Sequence, residues 1–170
     1  NLDGLPQDRV HLIEGDVRDR AAMDAAIRGV GLVFHLACLG VRHSLSAPAE
    51  TLDVNAAGTL NVLVAARAAR IARFVYVSSS EVYGTAERAP MDETHPTNPT
   101  TVYGASKLAG EHCALAFRRC YDVPAVVVRP FNAYGPRCHH EGDSGEVIPR
   151  FLLNALAGRA PVIFGDGAQT

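Results

Sequence analysis

The sequence predicts an α/β fold built on a doubly wound parallel sheet, and three observations carry that prediction. Four short runs of β-branched and aromatic residues recur along the 170 residues, each too short to be a helix. Longer segments with helical spacing of apolar residues separate them, as the crossovers between parallel strands require. The third run ends in Ser78-Ser79-Ser80, a polar strand edge of the kind at which ligands gather in open α/β sheets.

Taken in order, Val10-His11-Leu12-Ile13-Glu14 reads as a strand ending at Gly15-Asp16. A helix over 19–29 follows, with Asp19 as its N-cap and Gly29 as its stop. Leu32-Val33-Phe34-His35-Leu36-Ala37 is the second strand. Ser46 with Pro48 opens a long helix to Arg70, in which Leu52, Ala56, Leu60, Leu63 and Val64 keep helical spacing. The third strand covers 74–78, and a polar, Pro-rich loop then runs from Gly84 to Thr100. The next helix carries Tyr103 and reaches Cys120; Ala125-Val126-Val127-Val128-Arg129 is the fourth strand, stopped by Pro130. We divide the chain into one domain over 1–132 and the start of a smaller one over 133–170.

Composition narrows the function classes. A net charge of −2 suggests neither a nucleic-acid partner nor an anionic membrane. No apolar run approaches the ~18 residues of a membrane span, and Asn-Leu-Asp-Gly does not begin a signal peptide. Cys38, Cys113, Cys120 and Cys138 show no Cys-x-x-Cys spacing, which fits a reduced, cytoplasmic chain. Cys113 and Cys120, seven apart on one helix, read as packing residues.

The chemistry lies in Tyr103-Gly104-Ala105-Ser106-Lys107. Four-residue spacing stacks the phenol and the ammonium on one helix face. Lowering a phenol by roughly three pKa units takes about 4 kcal/mol. One ammonium at about 4 Å supplies that at an effective dielectric of about 20. Ser79, at the edge of the third strand, is available to hydrogen-bond the same substrate hydroxyl that Tyr103 would deprotonate. A dinucleotide-binding unit normally opens with a strand, a Gly-rich turn and a helix. No G-x-G-x-x-G or G-x-x-G-x-x-G occurs here, and the first βαβ unit of the sheet is missing. The chain therefore reads as an internal fragment of a longer protein, expected to show no turnover alone.

Seven motifs in order, GDVRD at 15–19, VFHLA at 33–37, DVNAAGTLNVL at 53–63, VYVSSSEVYG at 75–84, YGASKLAGE at 103–111, VRPFNAYGPR at 128–137 and VIFGDG at 162–167, point to one group. The chain resembles extended short-chain dehydrogenases/reductases of the NAD-dependent nucleotide-sugar epimerase/dehydratase family, in the manner of UDP-glucose 4-epimerases. The resemblance implies a Rossmann-like NAD-binding domain over 1–132 and the beginning of a substrate-binding domain over 133–170. It implies that Asp16 and Val17 flank the adenine, and that Leu36, Ala37 and Cys38 pass the pyrophosphate and ribose, Cys38 replacing a usual Ala or Gly. Simple turn chemistry is the alternative explanation of Asp16, and the surrounding motifs favour the cofactor. By the same resemblance Asn55 organises the active site, or else satisfies a helix irregularity. Phe131 lies beside the nicotinamide, and Asn132 binds the diphosphate of a nucleotide-diphosphate sugar. Catalysis falls to Ser79, Tyr103 and Lys107, with Ser78 hydrogen-bonded to the backbone beside the cofactor. Tyr103 and Lys107 also bind NAD; Ser79, Ser80, Glu81 and Tyr103 face the sugar.

The implied reaction is epimerisation at C4 through a transient 4-keto sugar. Sugar 4,6-dehydratases carry Thr-Asp-Glu where this chain has Ser79-Ser80-Glu81, and Ser80 does not replace a carboxylic acid at neutral pH. Elimination with Glu81 as base is the alternative. UDP-glucuronate decarboxylases have a similar Ser-Glu pair, but Gly104-Ala105-Ser106 departs from their Tyr-Asp-Glu-x-Lys. A non-catalytic binding module is a third reading, against which Ser79, Tyr103 and Lys107 all stand. Helices over 47–70 and 101–120 resemble the pair that forms a four-helix bundle in homodimers. Cys138-His139-His140-Glu141 is read as a substrate-facing loop rather than a metal site, because adjacent side chains diverge. His35 reads as a satisfied core histidine, and His43 as a loop residue.

Overall fold

The sequence alternates between segments that must pair to exist and segments that close their own hydrogen bonds, and the structure follows that division. It is a computed structural model describing residues 6–139, 146–163 and 166. After a 3-10 turn at Gln7–Arg9 come α1 (Arg20–Ala26), β1 (Leu32–His35), α2 (Val41–Ser46), α3 (Pro48–Leu52) and a π-helical turn at Asp53–Gly58. Then follow α4 (Thr59–Ala69), β2 (Arg73–Val77), a 3-10 turn at Ser80–Val82, α5 (Val102–Tyr121), β3 (Ala125–Val128) and α6 (Val147–Leu156). Two compact units result, one ending at Phe131 and the other beginning at Asn132.

The sheet is parallel, in the order β1-β2-β3. Leu32 pairs with Arg73 and His35 with Tyr76; Phe74 pairs with Ala125 and Val77 with Val128. Alternation along each strand places Val33, His35, Phe74, Tyr76, Ala125 and Val127 on one face. Phe74, Tyr76 and Ala125 there join Val62, Leu63, Ala66, Ala114 and Phe117 from α4 and α5 in the hydrophobic core. Leu32, Phe34 and Val128, on the other face, are 47%, 61% and 43% exposed. In the described chain the strands are thus buried on one face only.

Three expectations need correction. Val10–Glu14 forms no strand: a strand exists only through a ladder partner, and Leu12 and Ile13 here are 77% and 57% exposed. The helix expected over 46–70 is not continuous. Ser46 closes the separate short helix α2, which also holds His43, and Ala47 leaves the helical region (φ −133°, ψ 66°) because the ring of Pro48 crowds it. Pro48 then starts α3 at a position where its missing N–H costs nothing. Further along, the Thr59 hydroxyl donates to Asn55 O at 2.6 Å, occupying the acceptor four residues back, and the backbone widens into the π turn. Finally, Cys120 is exposed, whereas Cys113 packs against the core.

The end signals were read correctly. Asp19 accepts from Ala22 N and caps α1, Gly29 adopts φ +77°, and Arg70 ends α4 in the left-handed region. The observed strands are one or two residues shorter than expected at their C-terminal ends.

Candidate active site

At the C-terminal edge of β2 the chain delivers three serines in succession. Ser78 is buried; its N–H donates to Val128 O at 2.8 Å. Its hydroxyl, expected to bond the backbone, has no partner among the described residues. Ser79 caps the 3-10 turn, its Oγ accepting from Glu81 N at 3.2 Å. Ser80 N donates to Pro130 O at 3.0 Å.

Helix α5 is pinned against this edge at its first turn. Thr101 caps it by accepting from Gly104 N at 3.0 Å, and its hydroxyl reaches Glu81 Oε2 at 3.4 Å. A Cβ on Gly104 would stand 2.7 Å from Glu81 O, closer than real side chains approach, so only glycine lets helix and turn meet. The Tyr103 hydroxyl is thereby brought near enough to Ser79 for its titration to feel that hydroxyl. Burial pushes this phenol above its ordinary range, the Ser79 hydroxyl works against the rise, and Cys38 and Glu81 add to it.

The lysine-lowered phenol expected from helical spacing is not what this arrangement gives. Lys107 is 2% exposed and its Nζ donates to Val77 O at 2.6 Å, 4.8 Å from the centre of the Tyr76 ring. Burial lowers the ammonium's pKa, while Cys38 and Glu111 favour its charge. The lysine is spent on the strand, and burial decides the direction at Tyr103.

Asn55 ties neighbouring elements together through its side-chain amide. It lies within the π turn, 1% exposed; its Oδ1 accepts from Leu39 N at 2.8 Å, and its Nδ2 donates to Leu39 O at 3.0 Å and to Ser106 Oγ at 2.9 Å. Ser106 in turn donates to Tyr103 O at 2.7 Å. The loop after β1, with exposed Leu36, Ala37 and Cys38, is thus tied through one amide to the helix of Tyr103. Ser106, which lies between Tyr103 and Lys107, was not singled out in the sequence, and it is the partner through which Asn55 reaches the Tyr103 backbone.

Asp16 and Val17 form a second cluster. The exposed Asp16 carboxylate accepts from Arg18 N (2.8 Å), Nε (2.9 Å) and Nη2 (2.6 Å), and Arg18 holds its pKa below the usual carboxylate value. Asn61 Nδ2 fixes the turn from α4, donating to Val17 O and Arg18 O at 3.1 Å each. Phe131 is 53% exposed, its ring 6.2 Å from that of Tyr83. Asn132 is exposed at the start of the second unit.

The histidines are accounted for separately. His35, 4% exposed, meets Thr59 Oγ1 at 2.8 Å, and burial, aided by Lys107, lowers its pKa to about 4. His43 pairs with Glu50 at 2.9 Å. Cys138 Sγ donates to Ala133 O at 3.6 Å, and His140 and Glu141 lie outside the described residues. Among the described residues no three His, Cys, Asp or Glu side chains stand where they would hold a metal ion.

Comparison with known proteins bears on this geometry. The profile of the NAD dependent epimerase/dehydratase family matches residues 2–170. A UDP-glucose 4-epimerase of Mycolicibacterium smegmatis is 36% identical over 171 residues, covering 96% of this chain and 53% of that protein. A dTDP-glucose 4,6-dehydratase of Streptomyces niveus is 35% identical over 156 residues, covering 91% and 45%. The crystal structure of dTDP-glucose 4,6-dehydratase from Streptomyces venezuelae with NAD and TYD bound superimposes with a TM-score of 0.84 at 33% identity, covering 95% and 49%. The chain spans about half the length of the curated relatives it matches.

Proposed function

The chain belongs to the NAD dependent epimerase/dehydratase family, and from that premise we propose that the protein epimerises a nucleotide-diphosphate sugar at C4 with NAD as its resident cofactor. The observation that carries the reading is that Ser79 and Tyr103 meet at one strand edge, close enough for Ser79 to act on the phenol's titration, with Lys107 buried one turn behind.

The residues present fit the cofactor. The Ser78 hydroxyl is buried without a partner among the described residues, and the loop after β1 offers exposed backbone flanked by the small Ala37 and Cys38. Asp16 and Val17 would hold the adenine, Leu36 to Cys38 the pyrophosphate and ribose, and Ser78, Asn55, Lys107 and Phe131 the nicotinamide end. When bound, NAD supplies a reversible hydride acceptor. Tyr103 takes the proton of the sugar 4-hydroxyl and later returns it, Ser79 holds that hydroxyl, and Lys107 provides a fixed positive charge. Ser80, Glu81 and Asn132 complete the sugar and diphosphate contacts.

Elimination is the second reading. Glu81 is close enough to Tyr103 to influence its titration, and 4,6-dehydratases are among the relatives. Incubating the full-length enzyme with a panel of nucleotide sugars separates the two: a 4-epimer supports our reading, and a 4-keto-6-deoxy or 5,6-unsaturated product supports Glu81 as base. Tyr103→Phe should lower turnover by roughly 10²- to 10⁴-fold, the span of general acid–base catalysis, with NAD retained. Near-normal turnover would remove Tyr103 from its role.

The coarser surroundings follow the same reading. We place the protein in the cytoplasm, supported by its four free cysteines. We take residues 133–170 as the beginning of a substrate-binding domain. A homodimer through helices 47–70 and 101–120 is supported by Leu52, Leu60 and Val102, exposed by 49%, 42% and 40%.

A further inference from the structure

We propose that Glu111 and Arg129 act as one positioning unit for the site, locking the helix that carries Tyr103 and Lys107 to the strand end that holds Ser79 in place. The proposal rests on the assignment of Ser79, Tyr103 and Lys107 made above.

Glu111 is 1% exposed, and a carboxylate so buried requires a partner. Arg129 supplies it with a fork, Nε to Oε1 at 2.9 Å and Nη2 to Oε2 at 2.7 Å. Glu111 stands one turn beyond Lys107 and two beyond Tyr103 on the same helix face. The helix is seated tightly there. A Cβ on Gly110 would collide with the Tyr76 hydroxyl, which itself donates to Lys107 O at 3.1 Å.

The other end of the pair lies directly across from the serines. Val128 O accepts from Ser78 N and Pro130 O accepts from Ser80 N. Arg129 is therefore the residue between the two acceptors that bracket Ser79. Its guanidinium also lies 4.8 Å from the centre of the Tyr83 ring, just past the Ser80–Val82 turn. One ion pair thus joins the two walls that Tyr103 and Ser79 belong to.

Buried pairs of this kind add little net stability compared with apolar residues of the same volume, whereas removing one partner alone is costly. What the fork contributes is a fixed register between α5 and the β3 end. An error of about 1 Å in such a register costs roughly a hundredfold in rate.

The test is a double variant, Glu111→Met with Arg129→Met, in the full-length protein, which leaves no orphaned charge. It should melt near the wild-type temperature. Its kcat should fall roughly ten- to hundredfold with KM within about threefold, and Arg129→Lys, which keeps the charge but loses the fork, should fall between. In the ligand-free protein, ¹³C-tyrosine NMR should show Tyr103 titrating at higher pH than in wild type, because α5 moves away from the Ser79 hydroxyl that lowers it. The groups facing Tyr103 are Cys38 from the loop after β1, Tyr76 from β2, Ser79 and Glu81 from the turn, and Lys107 from its own helix; the variant substitutes none of them, though it removes the Glu111 charge that acts on Lys107 and Tyr76. Turnover within about twofold of wild type, or an unshifted Tyr103, overturns the proposal. A wild-type enzyme inactive on every nucleotide sugar would instead overturn the assigned reaction, and the NMR titration would still decide the pair.

Discussion

His35 shows how burial sets protonation at the level of a single residue. Its Nε2–H donates to Thr59 Oγ1, whose own hydrogen goes to Asn55 O, and the ring sits on the core side of β1 with a pKa lowered to about 4 by burial and by Lys107. The unfolded chain takes up a proton near pH 6.5 and the folded chain only near pH 4, so stability falls as pH drops through that window. The loss is about 3 kcal/mol once pH 4 is passed. Urea unfolding at pH 7 and pH 4.5 should reveal it, and His35→Gln should remove most of the difference between the two. An unchanged difference in the variant would assign the acid sensitivity to other groups. Tyr103 and Lys107 obey the same balance in opposite senses, because burial disfavours whichever form is charged.

Elements were legible where the signal was local. The cap at Asp19, the stop at Gly29 and Pro48 at a first helical turn all act through nearest neighbours. The π turn was not legible, because it depends on one hydroxyl choosing Asn55 O and on the amide of Asn55 reaching Leu39 and Ser106 in space. The segment Val10–Glu14 failed for the converse reason: β-rich composition proposes a strand, but only a partner makes one. Gly104 is the element-scale test. Gly104→Ala puts a methyl group 2.7 Å from Glu81 O, and backbone does not yield as a flexible side chain would. We expect a loss of about 1–3 kcal/mol by chemical denaturation together with reduced turnover, as α5 backs away from the turn. A fully stable, fully active variant would show that the contact is slack.

On the scale of the whole molecule, the exposed Leu52, Leu60 and Val102 lie on the two helices assigned to pairing. Light scattering of the full-length protein should give the mass of a dimer, and Leu60→Glu should shift it toward monomer by placing a charge in an apolar seam. A monomeric wild type would remove the assigned interface. The site itself draws on elements far apart in the chain. Cys38 follows β1, Asn55 is in the π turn, Ser79 follows β2, and Tyr103, Ser106 and Lys107 lie on α5. Parallel strand order puts their C-terminal ends side by side, which is why one edge collects them.

The sequence by itself determined the parallel α/β plan and the family, and it named the residues proposed for the site, since these rest on periodicity, capping and ordered motifs that are local in the chain. It proposed Tyr103, Lys107 and Ser79 as a set, with Asn55 beside them. The tertiary structure alone decided how those groups are spent. Lys107 is turned onto Val77 O, Tyr103 is raised rather than lowered, Ser78 keeps an unpartnered hydroxyl, and Asp16 is held by Arg18. The physical reason is that burial and hydrogen-bond partnership are properties of what packs against a residue. Four-residue spacing fixes a shared helix face, but the strand that the face meets decides where the charge goes.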